Sequence, residues 1–137
     1  MNEDTELKHV AAVFTESSFW KFMGFEIEKL EQGEACLRLE VREDLMNVIN
    51  TLHGGVYASI LDTTMGMTAR SIEDVPFATI DMSVHYLRPI AQGTVYTKGK
   101  LISRSKSLFT VQAEMMDEDN NLAAHSVGSF KVLKPRN

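Results

Sequence analysis

The run Asn47-Val48-Ile49-Asn50-Thr51-Leu52-His53-Gly54-Gly55-Val56-Tyr57-Ala58-Ser59-Ile60-Leu61-Asp62 begins as a polar loop, turns at His-Gly-Gly, and continues in small and apolar residues. No proline follows until Pro76, so a helix from about Gly54 to Ser71 is allowed. The first N–H groups of a helix have no partner within it, and its dipole is positive there. Glycines at the entry let another molecule approach those donors closely. The stretch therefore predicts a long helix whose start can hold an anion, or a carbonyl oxygen that becomes one.

Further along, Ala58, Leu61, Asp62, Met65 and Ala69 share one helical face. A carboxylate on an apolar stripe is costly unless something pairs with it. Local hydroxyls on Thr63, Thr64 or Thr68 could satisfy Asp62 structurally, and the alternative is chemistry. Asp62 lies about 10 Å along the helix from Gly55, farther than one Asp side chain can span. If the donors and the carboxylate act on one atom, the Asp must come from a neighbouring subunit, which predicts a shared site in a symmetric oligomer.

The chain around this helix reads as one domain over 1–137, with a short helical segment at its N-terminus. Leu7, Val10, Ala11 and Phe14 keep helical spacing over residues 5–16, and Ser17-Ser18 can cap a turn through Phe19-Trp20-Lys21-Phe22-Met23. Strands are expected from Phe25 to Leu30 and over 35–41, joined at Gln32-Gly33. Glu43-Asp44-Leu45-Met46 forms a turn that delivers Asn47. Pro76 closes the helical region, and four strands follow at about 77–88, 93–104, 107–117 and 121–133. The strands do not alternate with helices, which disfavours a doubly wound parallel sheet. The pattern is α+β, an antiparallel curved sheet wrapped around one nearly all-apolar central helix.

Composition narrows the function. A net charge of −5 argues against nucleic acid as the main partner. No apolar run is long enough to span a membrane, and the acidic N-terminus leads into no signal core, so a cytoplasmic protein is expected. The lone Cys36 has no disulfide partner and is expected as a buried structural thiol. His9, His53, His85 and His125 are scattered without metal-ligand spacing, and His125 is most simply structural. No Gly-x-Ser-x-Gly elbow occurs, and no Ser-His-Asp triad can be read from the spacing. No metal or cofactor is expected.

Asn47, then His53-Gly54-Gly55, then Asp62 resembles the signature of hotdog-fold acyl-CoA thioesterases of the PaaI-like group. The run from Ala78 to Pro89 is similar to that group's third strand, and the resemblance extends from about Ser18 to Lys134. It implies a homo-oligomer, a dimer of hotdogs or a tetramer, acting on acyl-CoA. It also implies that Gly55 N–H and the Asn47 side chain contact the thioester carbonyl, with Asp62 of the partner subunit as general base or nucleophile. Thr79 matches a hydroxyl position that orients the water, and His53 would fix the loop or extend the donor array. Strict alternation, however, puts Thr79 with Asp81, Ser83 and His85, opposite Ile80, Met82, Val84 and Tyr86. That would turn Thr79 away from the helix and towards another subunit, and either a site at the subunit interface or an irregular strand start would restore its role. Gly54 at the helix entry and the loop cations Arg88, Arg104 and Lys106 are expected near the substrate, the cations for CoA phosphates, with solvated loop charge as their alternative. Met65, Met67 and Met82 could line an acyl pocket or be plain core. A module that binds acyl-CoA without hydrolysing it is the competing function.

Overall fold

A computed structural model describes residues 3–133. Met1, Asn2 and residues 134–137, among them Lys134 at the end of the resemblance, lie outside the described residues. The chain runs α1 (Glu3–Thr15), α2 (Ser18–Met23), β1 (Glu26–Glu31), β2 (Glu34–Glu40), a 3-10 turn (Glu43–Leu45), α3 (Gly54–Ile72), β3 (Phe77–Tyr86), β4 (Thr94–Arg104), β5 (Leu108–Met116) and β6 (Leu122–Val132). All pairings are antiparallel, in the order β1-β2-β4-β5-β6-β3. Six strands curl around α3, as the hotdog expectation requires.

Alternation explains which face meets the helix. Ala35, Leu37 and Leu39 on β2 and Phe109, Val111, Ala113 and Met115 on β5 are all buried against α3. Their neighbours Cys36, Arg38 and Glu40 point outward, and Cys36 is only half-buried on that outer face. This corrects the expected buried thiol: the even positions of β2 carry the strand's polar face. His125 is half-buried on the outer face, its Nε2 3.3 Å from Gln112 Oε1. On α3, Ile60, Leu61, Met65, Met67 and Ala69 are fully enclosed, so Met65 and Met67 are core and line no pocket wall described below.

Two buried threonines set how closely helix and sheet approach. Thr64 Oγ1 donates to Ile60 O at 2.6 Å and pairs with Thr97 Oγ1 of β4 at the same distance. Beside them Gly99 has no side chain, and a Cβ there would sit 2.3 Å from Thr68 Oγ1 and 3.2 Å from the Thr64 carbonyl oxygen. Gly99→Ala must push α3 off β4, and is expected to lower stability by about 1–3 kcal/mol. Urea unfolding checks this, and an unchanged midpoint would show that the helix has slack. Among the described residues no helix is long and apolar enough to cross a membrane.

Candidate active site

The loop before α3 is held from inside. Asn47 Oδ1 accepts the N–H groups of Ile49 and Thr51, both at 3.0 Å, and its Nδ2 donates to Thr51 Oγ1 at 2.8 Å. Asn50 takes a positive φ of 60° to close this turn, a conformation that Asn tolerates better than most residues. Two backbone bonds fix the loop to the fold, Leu52 N–H to Ile90 O at 2.7 Å and His53 N–H to Leu45 O at 2.9 Å. Asn47 thus shapes the loop and retains one Nδ2 hydrogen for a ligand.

His53 is the N-cap of α3. Its Nδ1 accepts the Gly55 N–H at 2.8 Å, so a neutral ring carries its proton on Nε2. The ring caps the helix start and occupies the donor expected to be free. A carbonyl oxygen can take Gly55 N–H only when the His53 ring turns aside. Gly54 N–H, by contrast, has no acceptor among the described residues. The His53–Gly55 bond follows the usual N-cap pattern, in which the side chain meets the second or third helical N–H. Sequence reasoning missed it because Ser, Thr, Asp and Asn are the preferred caps, and a histidine at that position gives no warning.

Tyr57 and Tyr86 complete this end. Tyr86 OH donates to Gly54 O at 2.9 Å, and Tyr57 OH donates to Arg88 O at 2.7 Å. Their rings meet edge to face at 5.3 Å. Together with Asn47, Gly54 and Arg88 they line an open cleft of about 350 Å³. Neither tyrosine was singled out as a site residue, since each reads as an ordinary aromatic in an apolar pattern.

Asp62 sits in a different place, in a chamber of about 180 Å³ with Thr79, Thr63 and Phe14. Burial pushes its pKa up, and a hydrogen bond from Thr79 Oγ1 to Oδ1, 2.8 Å long, partly offsets this. None of the helix threonines serves it: Thr63 donates to Ser59 O, Thr64 to Ile60 O and Thr68 to Thr64 O.

Thr79 reaches Asp62 through a bulge. β3 pairs with β6 as Thr79↔Phe130 and then Asp81↔Ser129, so Ile80 is an extra residue with no partner of its own. The bulge changes the phase of the strand. Thr79 faces the helix before it, Met82 and Val84 after it, while Ile80 is 55 % exposed. The strict alternation expected for this strand is therefore wrong at Ile80, and the irregular start brings Thr79 inward. Thr79→Val should raise the Asp62 pKa further, because it removes a donor that favours the carboxylate. The acid limb of a pH–rate profile is then expected to move to higher pH, with the pH optimum unchanged if Thr79 does not matter.

The loop cations do not converge within one chain. Arg88 lines the cleft at the helix start. Arg104 stands over the Phe109 ring at 4.7 Å and 3.7 Å from Glu73, beyond the other end of α3, with exposed Lys106 on the same hairpin. The two groups are separated by the 19 residues of the helix, about 28 Å.

Residues 49–124 match the model of the thioesterase superfamily. A Halobacterium salinarum protein named "Putative esterase" is 32% identical, aligned over 82% of this chain and 83% of its own. The 1,4-dihydroxy-2-naphthoyl-CoA hydrolase of Listeria monocytogenes is 28% identical over 83% of this chain and 94% of its own. Among solved structures, the Escherichia coli PaaI protein of the phenylacetic acid degradation operon superposes with a TM-score of 0.90 over 97% of each chain, at 18% identity, a likeness of fold. With the family match spanning more than half of its residues, this chain belongs to the thioesterase superfamily.

Proposed function

We propose that the protein is an acyl-CoA thioesterase, which hydrolyses the thioester to a free acid and coenzyme A. The observation that carries this is the Asp62–Thr79 pair: a carboxylate with a raised pKa, held by one hydroxyl, at the wall of a chamber that the Phe14, Phe77 and Phe130 rings share with Thr63 and Arg70. Asp62 accepts a proton from water as the water oxygen adds to the carbonyl carbon, and the tetrahedral intermediate then expels the CoA thiolate. In the other route the carboxylate itself attacks, expels the thiolate and leaves an anhydride that water cleaves. On either route Asn47 Nδ2 and Gly54 N–H stabilise the oxyanion, joined by Gly55 N–H once the His53 ring turns aside, at about 3 kcal/mol for each well-placed donor.

These two halves line separate cavities in one chain. The proposal therefore includes an oligomer in which the donors of one protomer meet Asp62 of the partner subunit. Arg88 is the cation best placed for a CoA phosphate on the donor side. Support for acyl-CoA comes from the relatives named for CoA thioesters, the Listeria hydrolase and the acyl-coenzyme A thioesterase 13 of Pongo abelii. Thiol release from a panel of acyl-CoAs tests the function. Turnover on at least one member is expected, whereas tight binding without turnover would make the protein an acyl-CoA-binding module.

A further inference from the structure

Phe14 and Thr63 line two chambers at once. The first is the Asp62 chamber of about 180 Å³. The second, about 160 Å³, shares Phe14 and Thr63 with the first and is otherwise lined by Ser17, Phe19, Trp20 and Phe25. Thr63 Oγ1 is tied back to Ser59 O at 2.8 Å, so its hydroxyl is spent on its own helix. The larger of the two side chains that the chambers share is Phe14, whose ring is half-buried and meets Trp20 edge to face at 6.4 Å.

The rest of α1 is anchored independently of that ring. Val10 is 1 % exposed in the core, and His9 Nδ1 lies 2.5 Å from Asp74 Oδ2, itself bound by Arg70 Nε at 2.9 Å. Trimming Phe14 therefore removes this shared side chain without releasing the helix. At ~30 Å³ per non-hydrogen atom, the first chamber holds about six atoms and the second about five more.

We propose that Phe14 is the acyl-length gate of this site. It closes the Asp62 chamber to long straight-chain acyl groups, and its removal joins that chamber to the aromatic one. The proposal rests on the thioesterase reading for the placement of the acyl group beside Asp62.

The test uses a series of non-hydrolysable acyl-CoA thioethers, from butyl to tetradecyl, titrated calorimetrically into wild-type protein, Phe14→Ala and Phe14→Trp. Affinity in the wild type is expected to tighten about fourfold per methylene and to stop near six chain atoms. In Phe14→Ala the tightening should continue to about eleven, giving at least a tenfold gain for the longest member. Phe14→Trp should stop earlier, and Phe14→Leu provides a milder opening if the alanine variant does not fold. Identical length profiles in all variants, or no binding of any thioether, would overturn the gate. Thiol release from the matching thioesters separates the two ideas. Turnover with an unmoved length profile sinks the gate alone, and a moved binding profile without turnover sinks only the hydrolytic function.

Discussion

Asp62→Asn protein is expected to release thiol from acyl-CoA about 10²–10⁴-fold more slowly than wild type, the range for losing a positioned base. The substitution keeps the shape of the side chain, and Asn Oδ1 can still accept from Thr79. A loss of activity would then report the missing charge and not a collapsed chamber. Stability should move the other way. Burial raises the Asp62 pKa above its unfolded value, so the folded state disfavours the carboxylate. For a group shifted in that direction, the wild-type protein loses stability as pH rises through the folded pKa. Asn escapes this loss. Its melting temperature should exceed wild type at neutral pH, by about 2–5 °C. The gain should vanish as pH falls towards about 4, where the unfolded side chain also takes up its proton. Lower activity together with higher neutral-pH stability is the signature of a carboxylate kept for chemistry. Unchanged thiol release would remove Asp62 from the reaction.

The parts of this fold that were legible in the sequence are those set by local period and turn chemistry. The α3 span, the Gly33 and Asn120 turns, and the inward faces of β2 and β5 all follow from spacing within a few residues. What was hidden depends on partners distant in sequence. The bulge at Ile80 exists only in the pairing of β3 with β6, and nothing in Ala78-Thr79-Ile80-Asp81 announces it. A bulge shifts every later side chain to the opposite face, so a face assignment made by counting fails beyond it. The resemblance named Thr79 where alternation spoke against it, and the bulge reconciles the two. His53 presents the converse case. Its position was visible, but the direction of its ring decides whether Gly55 N–H is free, and ring direction leaves no trace in spacing. The separation of Arg88 from Arg104 likewise needs the topology, which sends the β3–β4 crossover and the β4–β5 hairpin to opposite ends of α3.

The separation of the cleft from the Asp62 chamber leads to the second large effect, restoration of activity by mixing two inactive proteins. One carries Asp62→Ala. The other carries Asn47→Ala with Gly55→Pro, which removes the Asn47 donor and the Gly55 N–H together. Proline is tolerated in the first turn of a helix. Any Cβ at Gly55 would lie 3.0 Å from His53 Nδ1, so the capping ring is displaced as well. If donors and carboxylate come from different subunits, a mixed pair contains one site with both defects and one with neither. Random reassortment of the subunits is then expected to restore about one quarter of wild-type activity. Within a single chain the carboxylate lies about 10 Å along the helix from Gly55, a gap that no rotamer of Asp62 closes. Mixed oligomers confirmed by native mass spectrometry but showing no recovery would place the whole reaction within one protomer. The helix would then have to bend, or a second carboxylate would have to be found near the cleft.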